Sequence, residues 1–142
     1  MTVIVVGPEA VDQIKTGKRR VILFPPSYRS PIGDVRDLRS ADTLYVLANL
    51  GKPEQEIIAT IVVNTFQVKL SNLHEGHAEH LGMGLSAFKD RWATIYPNHA
   101  WGSDEKVLAV MFKMREELVG PEEELELGTE IDMARRPKLV DA

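Results

Sequence analysis

Three consecutive cations, Lys18-Arg19-Arg20, with Tyr28-Arg29 shortly downstream, are the densest positive feature of this 142-residue chain. An arginine offers a planar fork that pairs with two phosphate oxygens at once, and a lysine a movable point charge. Aromatic rings beside such charges give stacking platforms for unpaired bases. Tyr28, Tyr96 and Trp101, with His99 close by, supply rings of that kind. Lys18, Arg19, Arg20, Tyr28, Arg29, Tyr96, His99 and Trp101 therefore make one candidate nucleic-acid-binding set. Each member also has a plainer reading: the cations as a solvated turn, Trp101 as a plug folded back on the core.

His74, His77 and His80 stand three apart, with Glu75 and Glu79 between them. A zinc-binding His-Glu-x-x-His pair needs histidines four apart on one helix face, and His74/His77 is one residue short. The set reads as a polar helix face and no metal site is assigned to it. No cofactor is expected. Glu116 to Glu126 is an acidic run, which reads as a solvated tail or as a surface for a basic protein partner.

The elements that must position these residues follow from periodicity and breakers. Residues 2–6 are β-branched and apolar and read as a first strand, interrupted by Gly7-Pro8. Pro8 opens a helix through Lys15, with Val11 and Ile14 on one face and Gly17 as its stop. Arg20 to Phe24 and Thr43 to Ala48 read as strands, separated by the irregular stretch 27–40 with Arg29, Arg36 and Arg39. Glu56 to Lys69 is long and rich in β-branched residues, which predicts a curved or bulged strand buried on both faces. A short helix is expected around Leu73 to Leu81. A main helix runs from about Ser86 to Tyr96, with Leu85, Phe88, Trp92 and Ile95 on one stripe, and Pro97 stops it. Val107 to Met114 is the last strand.

The chain has no cysteine and 44% hydrophobic residues, which suits one domain in a reducing cytoplasm. Its N-terminus has no basic leader and no stretch reaches the ~18 apolar residues of a membrane span, so a soluble cytoplasmic protein without a membrane partner is expected. The net charge of -4 is unevenly spread. Residues 1–50 carry seven basic and five acidic groups, residues 51–113 six and seven, and residues 114–142 four and nine. A domain over 1–113 is thus nearly neutral, followed by an acidic, flexible tail over 114–142.

The segment from Met83 to Phe112, a helix ended by Tyr96-Pro97, a loop with Trp101 and a closing apolar strand, resembles the C-terminal signature of ASCH domains, a branch of the PUA-like superfamily. Ile14 to Gly17 leading into Lys18, and Gly33-Asp34, match it as well, and the resemblance spans roughly residues 3–113. It implies an α+β fold, a small mixed β-barrel with helices packed at its ends, and a surface cleft for RNA or a nucleotide. Relatives that look like amidohydrolases carry a Lys/Thr/Glu set. The resemblance aligns those positions with Arg19, Ile22 and Leu81, none of which supplies the needed chemistry. A shifted catalytic pair, Lys18 and Glu79, is the remaining route to a hydrolase.

Three functions stay open at this point. The first is an RNA- or nucleotide-binding domain with a basic, aromatic-edged cleft. The second is a hydrolase acting on a modified nucleoside or on RNA, an amidohydrolase or a ribonuclease, through Lys18 and Glu79. The third is a protein-interaction module working through the acidic tail.

Overall fold

A computed structural model describes residues 1–102 and 104–123. Strand β1 (Thr2–Val6) leads into helix α1 (Pro8–Lys15), which Pro8 opens and the left-handed Gly17 (φ 77°) closes. Strands β2 (Val21–Phe24), β3 (Thr43–Ala48) and β4 (Glu56–Lys69) follow. Two 3-10 turns, Leu70–Asn72 and Glu75–His77, precede the short helix α2 (Ala78–Leu81). Helix α3 (Leu85–Ile95) and strand β5 (Lys106–Met114) complete the domain. The five strands form one mixed sheet in the order β1-β3-β4-β5-β2, curled into a half-barrel. Only β1 and β3 pair in parallel; the other neighbours are antiparallel.

Side-chain alternation along these strands divides the interior. On the concave face Ile22, Phe24, Val46, Val62, Val110 and Phe112 pack against Ala10, Val11 and Ile14 of α1. The convex face carries two further cores. Val21, Leu23, Val107 and Ala109 lie under Leu81, Phe88 and Trp92. Val3, Val5, Tyr45, Leu47 and Ala59 are covered by Ile32, Leu50 and Val119. No helix among the described residues is long and apolar enough to cross a membrane.

Two expectations change in the structure. The expected helix over Leu73 to Leu81 is a 3-10 turn, Glu75–His77, running into a four-residue α-helix, Ala78–Leu81. Strand β4 is buried on both faces only in its first half; beyond the bulge at Val63 it is largely open, with Val63 and Phe66 each 42% exposed. Within the stretch expected as a tail, the described residues make contacts with the domain. Arg115 pairs with Glu123 at 3.0 Å, Glu123 also accepts from the Tyr45 hydroxyl, and Val119 packs on the convex core. The acidic stretch past Glu123 lies outside the described residues.

Candidate nucleic-acid interface

The basic run enters β2 as extended backbone, so its side chains alternate between faces. Arg19 falls on the face of Val21 and Leu23 and is carried inside, 2% exposed. Its Nε donates to the Val21 carbonyl and its Nη1 to the Leu81 carbonyl, both at 2.7 Å, and the guanidinium lies over the Phe88 ring, 5.3 Å from its centroid. Arg19 is thus a strut between β2, α2 and α3, not a ligand contact, which corrects its place in the candidate set. Lys18 and Arg20 point the other way and are exposed. The Arg20 guanidinium meets Glu79 at 3.6 Å, so the carboxylate offered as a catalytic partner of Lys18 is engaged by Arg20 instead.

The positions aligned with the amidohydrolase set are brought into the interior. Arg19 and Leu81 form an isolated β-bridge, whereas Ile22 faces the concave core, 1% exposed. The Arg19 guanidinium reaches the Leu81 backbone carbonyl, and no carboxylate or hydroxyl stands at any of the three positions.

Two of the aromatic candidates are also interior. Tyr28 is 3% exposed and packs on Phe24 at 4.9 Å between centroids; burial, with Tyr96 nearby, pushes its phenol far above the ordinary range. Tyr96 is 4% exposed and stacks on Trp92 at 4.7 Å. Neither ring is open to a base, a second correction to the set. Trp101 is half-buried, edge-on to Phe88 and Trp92, with the Lys89 ammonium 5.5 Å from its ring centre. It is chiefly a plug on α3. Arg29 is exposed at the far end of β2, where its Nη1 donates to the Tyr28 carbonyl at 3.0 Å.

His99 joins two loops at that same end. Its Nε2 lies 2.6 Å from Ser27 Oγ and its Nδ1 2.7 Å from Glu105 Oε2. The backbone carbonyl of His99 accepts from the Trp92 indole at 2.8 Å, so the ring is anchored to α3. Beside it opens a cleft of about 210 Å³ with Pro26, Val35, Arg36, Gln67, Lys106 and Leu108 on its walls. The predicted set is therefore divided between the two ends of β2 and does not form a single cleft.

An apolar groove of about 250 Å³ opens on the convex face between β4 and α2. Phe66, Val68, Leu73, His77, His80 and Met111 line it. Phe66 reaches it because of the bulge. Val62 pairs with Phe112 but Asn64 already pairs with Met111, so the side-chain parity of β4 reverses and Phe66 turns from the concave core to the convex face. Sequence reasoning missed Phe66: it predicts a curved or bulged strand over Glu56 to Lys69, but not where the extra residue falls, and that position decides the face on which Phe66 emerges. The alternation that buries Arg19, by contrast, was readable once residues 18–24 were taken as one extended segment.

The histidines build the groove wall by capping one another. His77 Nδ1 accepts from the His74 backbone N–H, and His74 Nδ1 from that of Gly76, each at 3.1 Å, and the two rings stack at 3.9 Å. Burial first, then the neighbouring His74 and His80, lowers the His77 pKa below its ordinary value. With both Nδ1 atoms used in the turn, no group of three ligating side chains assembles among the described residues.

No family model matches the chain, and no curated protein matches it significantly in sequence. Solved structures do match. ASCH from Zymomonas mobilis superposes with a TM-score of 0.60 at 13% identity, covering 99% of this chain and 83% of that one. A point mutant of the same protein gives 0.58 at 15% identity, covering 99% and 86%. The hypothetical protein PH0355 gives 0.52 at 13% identity, covering 80% and 99%. At such low identity the shared property is the backbone architecture, a curled five-stranded mixed sheet with few helices: this chain has the ASCH fold.

Proposed function

We propose that the domain binds single-stranded RNA or a nucleotide in the convex groove, with Phe66 as the base platform and Lys18 and Arg20 as phosphate contacts. The observation that carries this reading is an exposed aromatic ring, Phe66, on the wall of an apolar groove of about 250 Å³, with Arg20 tied to the neighbouring α2 by its ion pair with Glu79 and by its backbone N–H on the carbonyl of the groove-lining His80. An aromatic face stacks on any base, and cations at its edge neutralise the adjoining backbone. His77 and His80 add flat, polar-edged walls. The fold shared with ASCH structures is in keeping with such a role.

Fluorescence anisotropy of a short labelled RNA, titrated at two salt concentrations, tests it. Binding is expected to weaken steeply with salt, and Arg20→Ala or Lys18→Ala is expected to reduce the salt slope by about one each. Phe66→Ala is expected to cost about 1–3 kcal/mol of affinity at either salt. Affinity that ignores Phe66→Ala and Arg20→Ala alike would remove the groove from consideration.

A further inference from the structure

We propose a second, catalytic site at the opposite end of β2, in which Ser27, His99 and Glu105 form a nucleophilic relay that hydrolyses small carboxylic esters bearing an anionic group. The geometry is specific about where the protons lie. A carboxylate only accepts, so the 2.7 Å contact to Glu105 fixes the hydrogen on His99 Nδ1. In the neutral imidazole Nε2 is then the bare nitrogen, and across the 2.6 Å contact it accepts the Ser27 hydroxyl hydrogen. That is the tautomer and direction in which an imidazole activates a hydroxyl, with a third group orienting the base.

Burial is distributed to match. The His99 side chain is only 14% exposed and Glu105 32%, whereas Ser27 is open to solvent. His99 is fixed on three sides, by Glu105, by the Trp92 indole on its carbonyl and by the Tyr96 ring, 6.4 Å away and edge-on. Arg36 clamps the loop carrying Ser27 by donating to the carbonyls of Pro26 and Tyr28, so the nucleophile is held on a braced turn. Pro26 and Lys106, the chain neighbours of Ser27 and Glu105, both line the 210 Å³ cleft, so the relay stands one residue along the chain from two of its walls.

The cleft selects the substrate class. Phe24, Val35 and Leu108 make an apolar floor for a short acyl chain, and Arg36 and Lys106 offer positive charge for an anionic substituent and for the developing oxyanion. Ser27 Oγ attacks the acyl carbon as its proton passes to His99 Nε2. The carbon–oxygen bond of the ester breaks, and the leaving alcohol takes that proton. Water then adds to the acyl-Ser27, giving a proton to His99, and the carboxylic acid departs as Ser27 Oγ recovers its hydrogen. Ester and water become acid and alcohol with nothing left over.

The test is labelling of the full chain with a fluorophosphonate, with the modified peptide read by mass spectrometry, together with turnover of 4-acetoxybenzenesulfonate and of its neutral counterpart, phenyl acetate. Ser27 is expected to be the modified residue. Ser27→Ala is expected to abolish labelling and turnover, and His99→Gln and Glu105→Gln each to slow both at least roughly tenfold. Lys106→Ala is expected to remove the preference for the anionic ester. Where His99→Gln lowers the fold's stability, Glu105→Gln, at the surface, decides. A folded wild-type chain whose Ser27 stays unmodified, or one that reacts equally fast in Glu105→Gln, overturns the proposal. RNA affinity in Ser27→Ala is expected to equal that of wild type, so the two sites succeed or fail separately.

Discussion

Arg19 shows how one residue of a basic run can belong to the core while its neighbours belong to the surface. Its two hydrogen bonds end on buried carbonyls, and Arg19→Ala would leave both unpaired as well as remove the contact with Phe88. Removal is expected to destabilise the domain by about 3 kcal/mol in urea unfolding, and Arg19→Lys to restore little of it, because an ammonium cannot span both carbonyls in one plane. Two other residues set the response to acid. The lowered pKa of His77 means the unfolded chain binds the proton more readily, so stability falls as pH drops below about 6.5. Hydrogen bonds from Arg115 and Tyr45 hold the Glu123 carboxyl at about 2 against an ordinary 4.5, so its contribution is whole above pH 4.5 and is lost as pH falls toward 2. Melting temperature followed from pH 8 to 2 should show both losses, with the lower one missing in Glu123→Gln. The members of the candidate set were legible where exposure follows from a turn, as at Lys18 and Arg20. They were illegible where burial depends on distant parts of the chain, as at Tyr28, packed on Phe24, and Tyr96, packed on Trp92.

At the level of elements, most boundaries were written in local periodicity and breakers. Pro8 and Gly17 bracket α1, Pro97 follows α3, and β-branched runs mark β1, β3 and β4. What periodicity does not encode is parity across the bulge at Val63, and with it the side on which Phe66 emerges. The two glycines quoted for the ASCH resemblance illustrate a similar gap. Both have positive φ, Gly17 at 77° and Gly33 at 69°. A Cβ on Gly17 would meet nothing within 4 Å, but on Gly33 it would lie 2.3 Å from the Met1 carbonyl oxygen. Gly17→Ala is expected to cost about 1 kcal/mol from the left-handed backbone alone. Gly33→Ala is expected to cost distinctly more and to loosen the N-terminal end of β1, visible as faster amide exchange at Val3, whose N–H donates to Ile32.

Across the whole molecule, the acidic charge that follows β5 has a structural component. A chain ending at Glu123 keeps the Arg115–Glu123–Tyr45 cluster, and a chain ending at Met114 loses it together with Val119 on the convex core. The shorter chain is expected to melt several degrees lower, so a test of how the acidic stretch affects RNA affinity should cut after Glu123. The strand order has a consequence for how the protein comes into being. Strand β2 lies at one edge of the sheet and its sole strand neighbour is β5, eighty-odd positions later. During synthesis, Val21–Phe24 must therefore wait, unpaired and apolar, until nearly the last described residue has been made. The half-barrel can close only once β5 has been made, and conditions that slow elongation extend the time for which that edge is open to wrong partners.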